Sequence, residues 1–190
     1  MGLFGFLSRL FGFSKTPVKL IVLGLDNSGK TTLVSHLKPE NGEGSFEVVP
    51  TVGFSVEKFR KGKIDFTVFD MSGQSTYRGL WEAYYAEVQA IVWVVDSSDK
   101  LRMSIAKHEL FTLLEHKDLN ERNVPILFFA NKMDTQTSLS PVDCMQLLSL
   151  EQIKNKTWHI TGSNAITGEG VDDGMQWLGE TLSKLNNSGK

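Results

Sequence analysis

Apolar residues along this chain fall into two kinds of stretch. Six are short and nearly continuous, at Val18–Leu23, Ser55–Phe59, Ile64–Phe69, Ala90–Asp96, Val124–Asn131 and Trp158–Thr161. Runs of this length, bounded by turn residues and rich in β-branched and aromatic side chains, predict strands. Between them, apolar positions recur at helical spacing over Gly29–Leu37, Leu80–Ala86, Leu101–His116, Pro141–Leu148 and Val171–Lys184. Only Arg60-Lys61-Gly62-Lys63 joins the second strand to the third, too short for a parallel crossover, so these two predict an antiparallel hairpin. The remainder alternates strand and helix. The expected fold is therefore α/β, a six-stranded, mostly parallel sheet with one antiparallel hairpin strand and helices on both faces.

The first fourteen residues follow a different pattern. Leu3, Phe6, Leu7, Leu10 and Phe11 share one helical face, with Phe4 and Phe13 beside it and Ser8, Arg9 and Ser14 off it. Pro17 separates this stretch from the first strand. It has no basic region before it and no small-residue cleavage site, so it does not read as a secretory leader. An amphipathic segment of this kind suits a membrane surface, through residues 3–13. The expected organisation is an amphipathic membrane-binding segment at 1–16, one domain at 17–186 and a short disordered tail at 187–190.

Composition narrows the class. The chain has 190 residues, with 20 basic and 22 acidic side chains and a net charge of −2. That length suits one domain with a sizeable core, and that balance gives no electrostatic case for nucleic acid. No apolar run reaches the ~20 residues a helix needs to cross a bilayer. The single cysteine, Cys144, has no internal partner for a disulfide, which points to the cytoplasm. The four histidines, His36, His108, His116 and His159, show no metal-ligand spacing.

The chemistry lies at the ends of the strands. Directly after the first one the chain reads Gly24-Leu25-Asp26-Asn27-Ser28-Gly29-Lys30-Thr31-Thr32, a complete phosphate-binding loop between strand and helix. Glycines let backbone N–H groups turn inward onto phosphate oxygens, Lys30 brings positive charge to the β- and γ-phosphates, and the Thr31 hydroxyl suits Mg²⁺. The helix that opens there adds its N-terminal dipole. After the fifth strand, Asn131-Lys132-Met133-Asp134 selects the base. The Asp134 carboxylate accepts from N1–H and the exocyclic amine of guanine, whereas adenine would leave it facing an acceptor. Thr51, in Pro50-Thr51-Val52-Gly53-Phe54, offers a hydroxyl to Mg²⁺ and an N–H to the γ-phosphate. In Asp70-Met71-Ser72-Gly73-Gln74, Asp70 suits Mg²⁺ through water, Gly73 the γ-phosphate and Gln74 the attacking water.

These motifs, in this order, resemble the small Ras-like GTPases and, within them, the ADP-ribosylation-factor (Arf) and Arf-like branch. Branch marks are Gly-Leu-Asp in the phosphate loop, Pro50-Thr51-Val52-Gly53-Phe54, and Arg78-Gly79-Leu80-Trp81-Glu82-Ala83-Tyr84-Tyr85. Phe69 to Gln74, Asp99 to Met103, Pro125 to Asp134 and Trp158-His159-Ile160 resemble the branch's ciliary members more closely. The resemblance implies a P-loop (Ras-like) G domain with GTP or GDP and Mg²⁺ as ligands. It implies a monomeric switch whose slow hydrolysis needs an activating protein and whose reloading needs an exchange factor. It also implies reversible attachment to membranes, a coat complex as effector and a place at the ciliary base.

An effector-binding aromatic trio would be Phe54, Phe69 and Tyr84, with Phe69 where the branch usually has a tryptophan. Ser72 stands where the branch usually has glycine. The base-capping loop would be Thr161-Gly162-Ser163, with Gly162 and Ser163 at the nucleotide and Ser163-Asn164-Ala165 as a second register. Gly2 after Met1 permits N-myristoylation, although Phe6 occupies the position where that motif wants Ser or Thr. Two other classes compete: a P-loop ATPase or kinase, disfavoured by Asp134, and a hydrolysis-dead GTP-binding adaptor, disfavoured by Gln74.

Overall fold

A computed structural model describes residues 18–38, 51–61 and 64–188. The amphipathic segment, Gly2 and the last two residues lie outside the described residues, as do 39–50 and 62–63.

The strands are β1 (Val18–Leu23), β2 (Phe54–Lys61), β3 (Ile64–Met71), β4 (Ala90–Asp96), β5 (Ile126–Asn131) and β6 (Trp158–Ser163). They form one sheet in the order β2-β3-β1-β4-β5-β6. β2 runs antiparallel to β3, and every other neighbouring pair is parallel. Every residue of β4 and β5 is buried, as expected for central strands covered on both faces. The helices are α1 (Lys30–Leu37), α2 (Met103–Glu115), α3 (Lys117–Asn120), α4 (Pro141–Leu147) and α5 (Val171–Ser188).

Strand alternation sorts the core into two layers. Leu20, Val22, Val68, Leu127 and Phe129 join Leu33 and Val34 of α1 and Val171 and Leu178 of α5 on one face. Ile21, Leu23, Phe69, Trp93 and Phe128 join Met103 and Leu110 of α2 and Cys144 of α4 on the other. Each apolar side chain of this size, once buried, contributes about 1.5–3 kcal/mol of gross stabilisation, so the two layers fix where every strand end lies.

Two expected helices take another form. Ser75–Tyr84 is a 3₁₀ segment in place of a helix at 80–86. Gly79 disfavours an α-helix there by about 1 kcal/mol, and two long-range bonds hold the tighter winding. The Trp81 indole Nε1–H donates to the Ser72 carbonyl at 3.0 Å, and Arg78 Nε donates to the Gly73 carbonyl at 3.0 Å. The long helix expected over 101–116 begins as a 3₁₀ turn at Lys100–Arg102, continues as α2 and ends before α3. His116 is extended (φ −63°, ψ 133°), which breaks the run. α4 starts on a capping box, Ser140 with Asp143, and carries Pro141 in its first turn, a combination that sets its first residue.

Candidate nucleotide-binding site

The carboxyl ends of β1, β3, β5 and β6 open onto one cavity of about 440 Å³. Asp26, Asn27, Gly29, Lys30, Thr31, Thr32, Thr51, Gly73, Gln74, Asn131, Lys132 and Asp134 all line it. Four separate segments of the chain thus converge where open α/β sheets bind ligands. Gly24 and Ser28 of the same loop do not line the cavity, and Ser28 is buried.

Lys30 opens α1 and is buried, with its Nζ donating to the Leu25 carbonyl at 2.7 Å. Burial pushes its ammonium down to about 8, opposed by the carboxylates of Asp70 and Asp26. The lysine is therefore a poorly solvated cation at the floor of the cavity, aimed by the loop that surrounds it. An anion reaching this floor meets a positive charge that water does not screen.

Beside it, three oxygen-bearing side chains meet. Thr31 Oγ1 donates to Asp70 Oδ2 at 2.6 Å and lies 2.9 Å from Thr51 Oγ1. Asp70 is 1% exposed, and its Oδ1 has no hydrogen-bond partner among the described residues. Burial raises its carboxyl above the usual range, against the Thr31 hydrogen bond and the Lys30 charge. A buried carboxylate oxygen left without a donor is costly. Two hydroxyls and that oxygen fit a hard cation, which takes oxygen ligands and few of them from protein. Among the described residues no cluster of three His, Cys, Asp or Glu side chains offers a rival metal site.

Segments 51–54 and 70–74 are stitched together beyond the hairpin. Ser72 N donates to Gly53 O at 2.9 Å, continuing the β2–β3 pairing past Phe54 and Met71. Gly73 packs so closely on the phosphate loop that an added Cβ would overlap Asp26 N and the Leu25 carbonyl group. Gln74, next in the chain, is exposed at the mouth.

On the far side, Asn131 ends β5 and is buried. Its Nδ2 donates to Ser28 O at 2.8 Å, and its Oδ1 accepts from Ala165 N at 3.0 Å and Ser163 Oγ at 3.2 Å. The approach requires Gly29, because a Cβ there would overlap the Asn131 amide. Lys132 turns through φ 66° and reaches Asp96 Oδ2 at 2.6 Å, so its stem is pinned across the cavity wall. Asp96, at the end of β4, is a supporting residue that no local motif marks.

Gly162 and Ser163 are not where the first register puts them. β6 extends through Ser163, and the space above the Gly162 Cα is filled by the side chains of Met133 and Pro141. Asn164, Ala165 and Ile166 reach the cavity instead, sharing Asn164 and Ala165 with the second register, Ser163-Asn164-Ala165, and lying one residue beyond it. The signal for this loop is an Asx turn: Asn164 Oδ1 accepts from Ile166 N at 3.0 Å and from Thr167 N at 3.4 Å. The aromatic trio is contiguous, with Tyr84 5.2 Å from Phe54 and 4.6 Å from Phe69 between ring centroids. It is not wholly a surface feature. Phe69 is 6% exposed, beneath Tyr84 in the core layer of α2, and Phe54 is the exposed member.

Asn131→Ala removes three bonds at once and leaves Ser28 O and Ala165 N unpaired. Each buried orphan costs about 1–3 kcal/mol, so urea unfolding at fixed GDP should show a loss of about 2–4 kcal/mol. An unchanged midpoint would mean that the three loops meet without this amide.

Comparison with known proteins assigns the chain and its fold to a family. The model of the ADP-ribosylation factor family matches residues 4–182. ADP-ribosylation factor-like protein 6 of Danio rerio is 55% identical over 185 residues, 97% of this chain and 99% of that protein. Its Caenorhabditis elegans namesake is 44% identical, over 99% of this chain and 98% of that protein. Among solved structures, the Arl6 BBS3 small GTPase of Trypanosoma brucei, with the nucleotide analogue GppNp bound, is 41% identical. It superposes with a TM-score of 0.83, covering 89% of this chain and 99% of that one. With the converging loops in view, the chain belongs to the ADP-ribosylation factor family, as an Arf-like small GTPase that binds guanine nucleotide and hydrolyses GTP.

Proposed function

We propose that this GTPase is a membrane-attached switch whose G domain (17–186) reads the γ-phosphate and whose N-terminal segment (1–16) answers it, leaving 187–190 as a tail. The observation that carries the reading is the meeting of Thr31, Thr51 and Asp70, because it brings a side chain of the phosphate loop together with side chains of two other segments. Thr31, Thr51 and, through water, Asp70 are the residues that would hold magnesium. When bound, that ion neutralises charge on the β- and γ-phosphates.

The chain's own groups do the rest. Backbone N–H groups of 24–31 and the Lys30 ammonium bind the phosphates, with Thr32 beside them. Gly73 offers its N–H to the γ-phosphate. Asp134 takes the guanine edge, the Lys132 stem lies along the base face, and the 164–166 loop closes over it. Gln74 orients the attacking water. No arginine lines the cavity among the described residues, so fast turnover calls for a cation supplied by an activating protein, and reloading for an exchange factor.

Beyond the nucleotide, the reading follows the family resemblance and the similarity to Arl6. The GTP form uses the apolar face of Leu3, Phe6, Leu7, Leu10 and Phe11 on a membrane surface. It presents Phe54 and Tyr84, propped by Phe69, to a coat complex that carries membrane proteins toward the cilium. Val52, Val56 of β2 and Leu80 of the 3₁₀ segment are further exposed apolar residues. The protein then moves between cytoplasm and membrane as a monomer. Gly2 is open to myristoylation, a single chain of which binds membranes only marginally, so the aromatic face supplies the second signal.

Three measurements check this reading. Asp134→Asn should weaken GTP and GDP and shift preference toward xanthine nucleotides, because an amide donates to the xanthine 2-oxo group; unchanged GTP affinity would remove Asp134 from the base site. Phosphate binding favours charged Lys30, whose ammonium titrates near 8 in the free protein. GDP affinity should therefore hold below pH 8 and fall about tenfold between pH 7 and 9. A flat titration with fluorescent GDP over that range would mean that Lys30 does not face the phosphates. Finally, liposome flotation of the full chain should recover more protein loaded with a non-hydrolysable GTP analogue than with GDP. Equal recovery would make the N-terminal segment a constant anchor, or none.

A further inference from the structure

Gln74 is exposed and its own side chain has no bond among the described residues, yet orienting water requires a fixed origin for that side chain. The peptide that carries it is held at both ends. Its carbonyl, that of Gly73, accepts from Arg78 Nε at 3.0 Å, and its N–H donates to Ser72 Oγ at 3.4 Å. A trans peptide points these two groups in opposite directions, so the two bonds together fix the plane from which Gln74 departs. The third restraint is steric, since Gly73 lies flat against Asp26 N and Leu25.

Arg78 is itself held. Its side chain is 14% exposed, its Nη1 donates to Glu109 Oε1 of α2 at 2.7 Å, and its Nη2 stands 3.9 Å from Asp26 Oδ1. Asp26 in turn is paired with Arg102, at 3.1 Å, which leans on Asp99 at 2.6 Å. A planar guanidinium addresses a carbonyl and a carboxylate at once, which a lysine ammonium on a flexible stem does not reproduce. The phosphate loop, the 3₁₀ segment and α2 are thus joined through one side chain that never enters the cavity.

The geometry points to Arg78 as a positioning residue for GTP hydrolysis: with Glu109 behind it and Ser72 opposite, it fixes the Gly73–Gln74 peptide and thereby the aim of Gln74. The inference rests on the reading of Gln74 as the residue that orients water. It also gives Ser72 a use, since a glycine at that position would have no hydroxyl to offer the Gln74 N–H.

The test is single-turnover hydrolysis by the purified full chain loaded with GTP, alongside affinities for fluorescent GTP and GDP analogues. Arg78→Lys should slow the single-turnover rate by about tenfold, the worth of one charge-assisted hydrogen bond. Both affinities should stay within about twofold of the parent, because the lost contact is not to nucleotide. Glu109→Gln should slow hydrolysis less, and adding it to Arg78→Lys should cost nothing further, because it acts through Arg78. In a Gln74→Leu background, Arg78→Lys should have no effect. A wild-type rate for Arg78→Lys overturns the inference. So does a loss of rate matched by loss of affinity for both nucleotides, or full additivity with Gln74→Leu. If Gln74→Leu alone hydrolyses GTP at the parent rate, the water-orienting role of Gln74 falls first, whatever Arg78 does.

Discussion

Two loops that leave non-adjacent strands have to meet if one pocket is to hold both a phosphate chain and a base. β1 ends in the phosphate loop and β5 in the Asn131 loop, and β4 lies between them in the sheet. Backbone pairing cannot close that gap, because each strand bonds only its neighbours. The Asn131 carboxamide closes it: the donor end holds Ser28 O, and the acceptor end holds Ala165 N and Ser163 Oγ. A primary amide has the donor and acceptor that this job needs, and Gly29 leaves the space for it. The Asn131 and 164–166 loops are also joined by backbone, Met133 N–H donating to Ser163 O at 3.1 Å, so it is the link from this base side to the phosphate loop that the Asn131 side chain supplies.

Much of this was legible because strand ends and glycine turns are local signals. The continuous apolar runs fixed β1, β4 and the hairpin, and the motifs at their ends identified nearly every residue that lines the cavity. What escaped depends on contacts far apart in sequence. The 80–86 helix became a 3₁₀ segment because Trp81 and Arg78 bond back to Ser72 and Gly73, which no periodicity encodes. The base-capping loop was open between two registers because β6 could end at Thr161 or run on. β6 runs on to Ser163, in pairing with Asn131, and the residues that line the cavity are 164–166. Asp96, which steadies Lys132, looks from sequence like the last residue of a buried strand.

Electrostatics explains why the phosphate floor is built from opposed charges rather than from cations alone. Lys30 and Asp70 are both buried, and burial works against the charged form of each. Each also favours the other's charge, so neither stands as an isolated ion in a poorly solvated place. Asp26, at the rim, is balanced in the same way by Arg102 and, at longer range, by Arg78. A cavity made to receive phosphates thus keeps one carboxylate in its loop and another beside it, on β3, without leaving either unneutralised.

The pleat of β3 ties this electrostatic floor to the apolar surface. Asp70 is flanked in the chain by Phe69 and Met71, whose side chains lie in the core layer of α2, while Val68 lies in that of α1. Because side chains alternate with period two, a one-residue slip of β3 along β1 would put Phe69 and Met71 into the wrong layer and turn Asp70 away from Thr31. Any displacement of the hairpin relative to β1 must therefore come in two-residue steps, about 6.6 Å of travel. Such a step is all-or-none. It would break the Thr31–Asp70 bond and carry Phe69 out from under Tyr84 in the same movement. The carboxylate bonded to Thr31 and the aromatic contact with Tyr84 cannot be set independently, because Phe69 and Asp70 occupy successive positions on one strand.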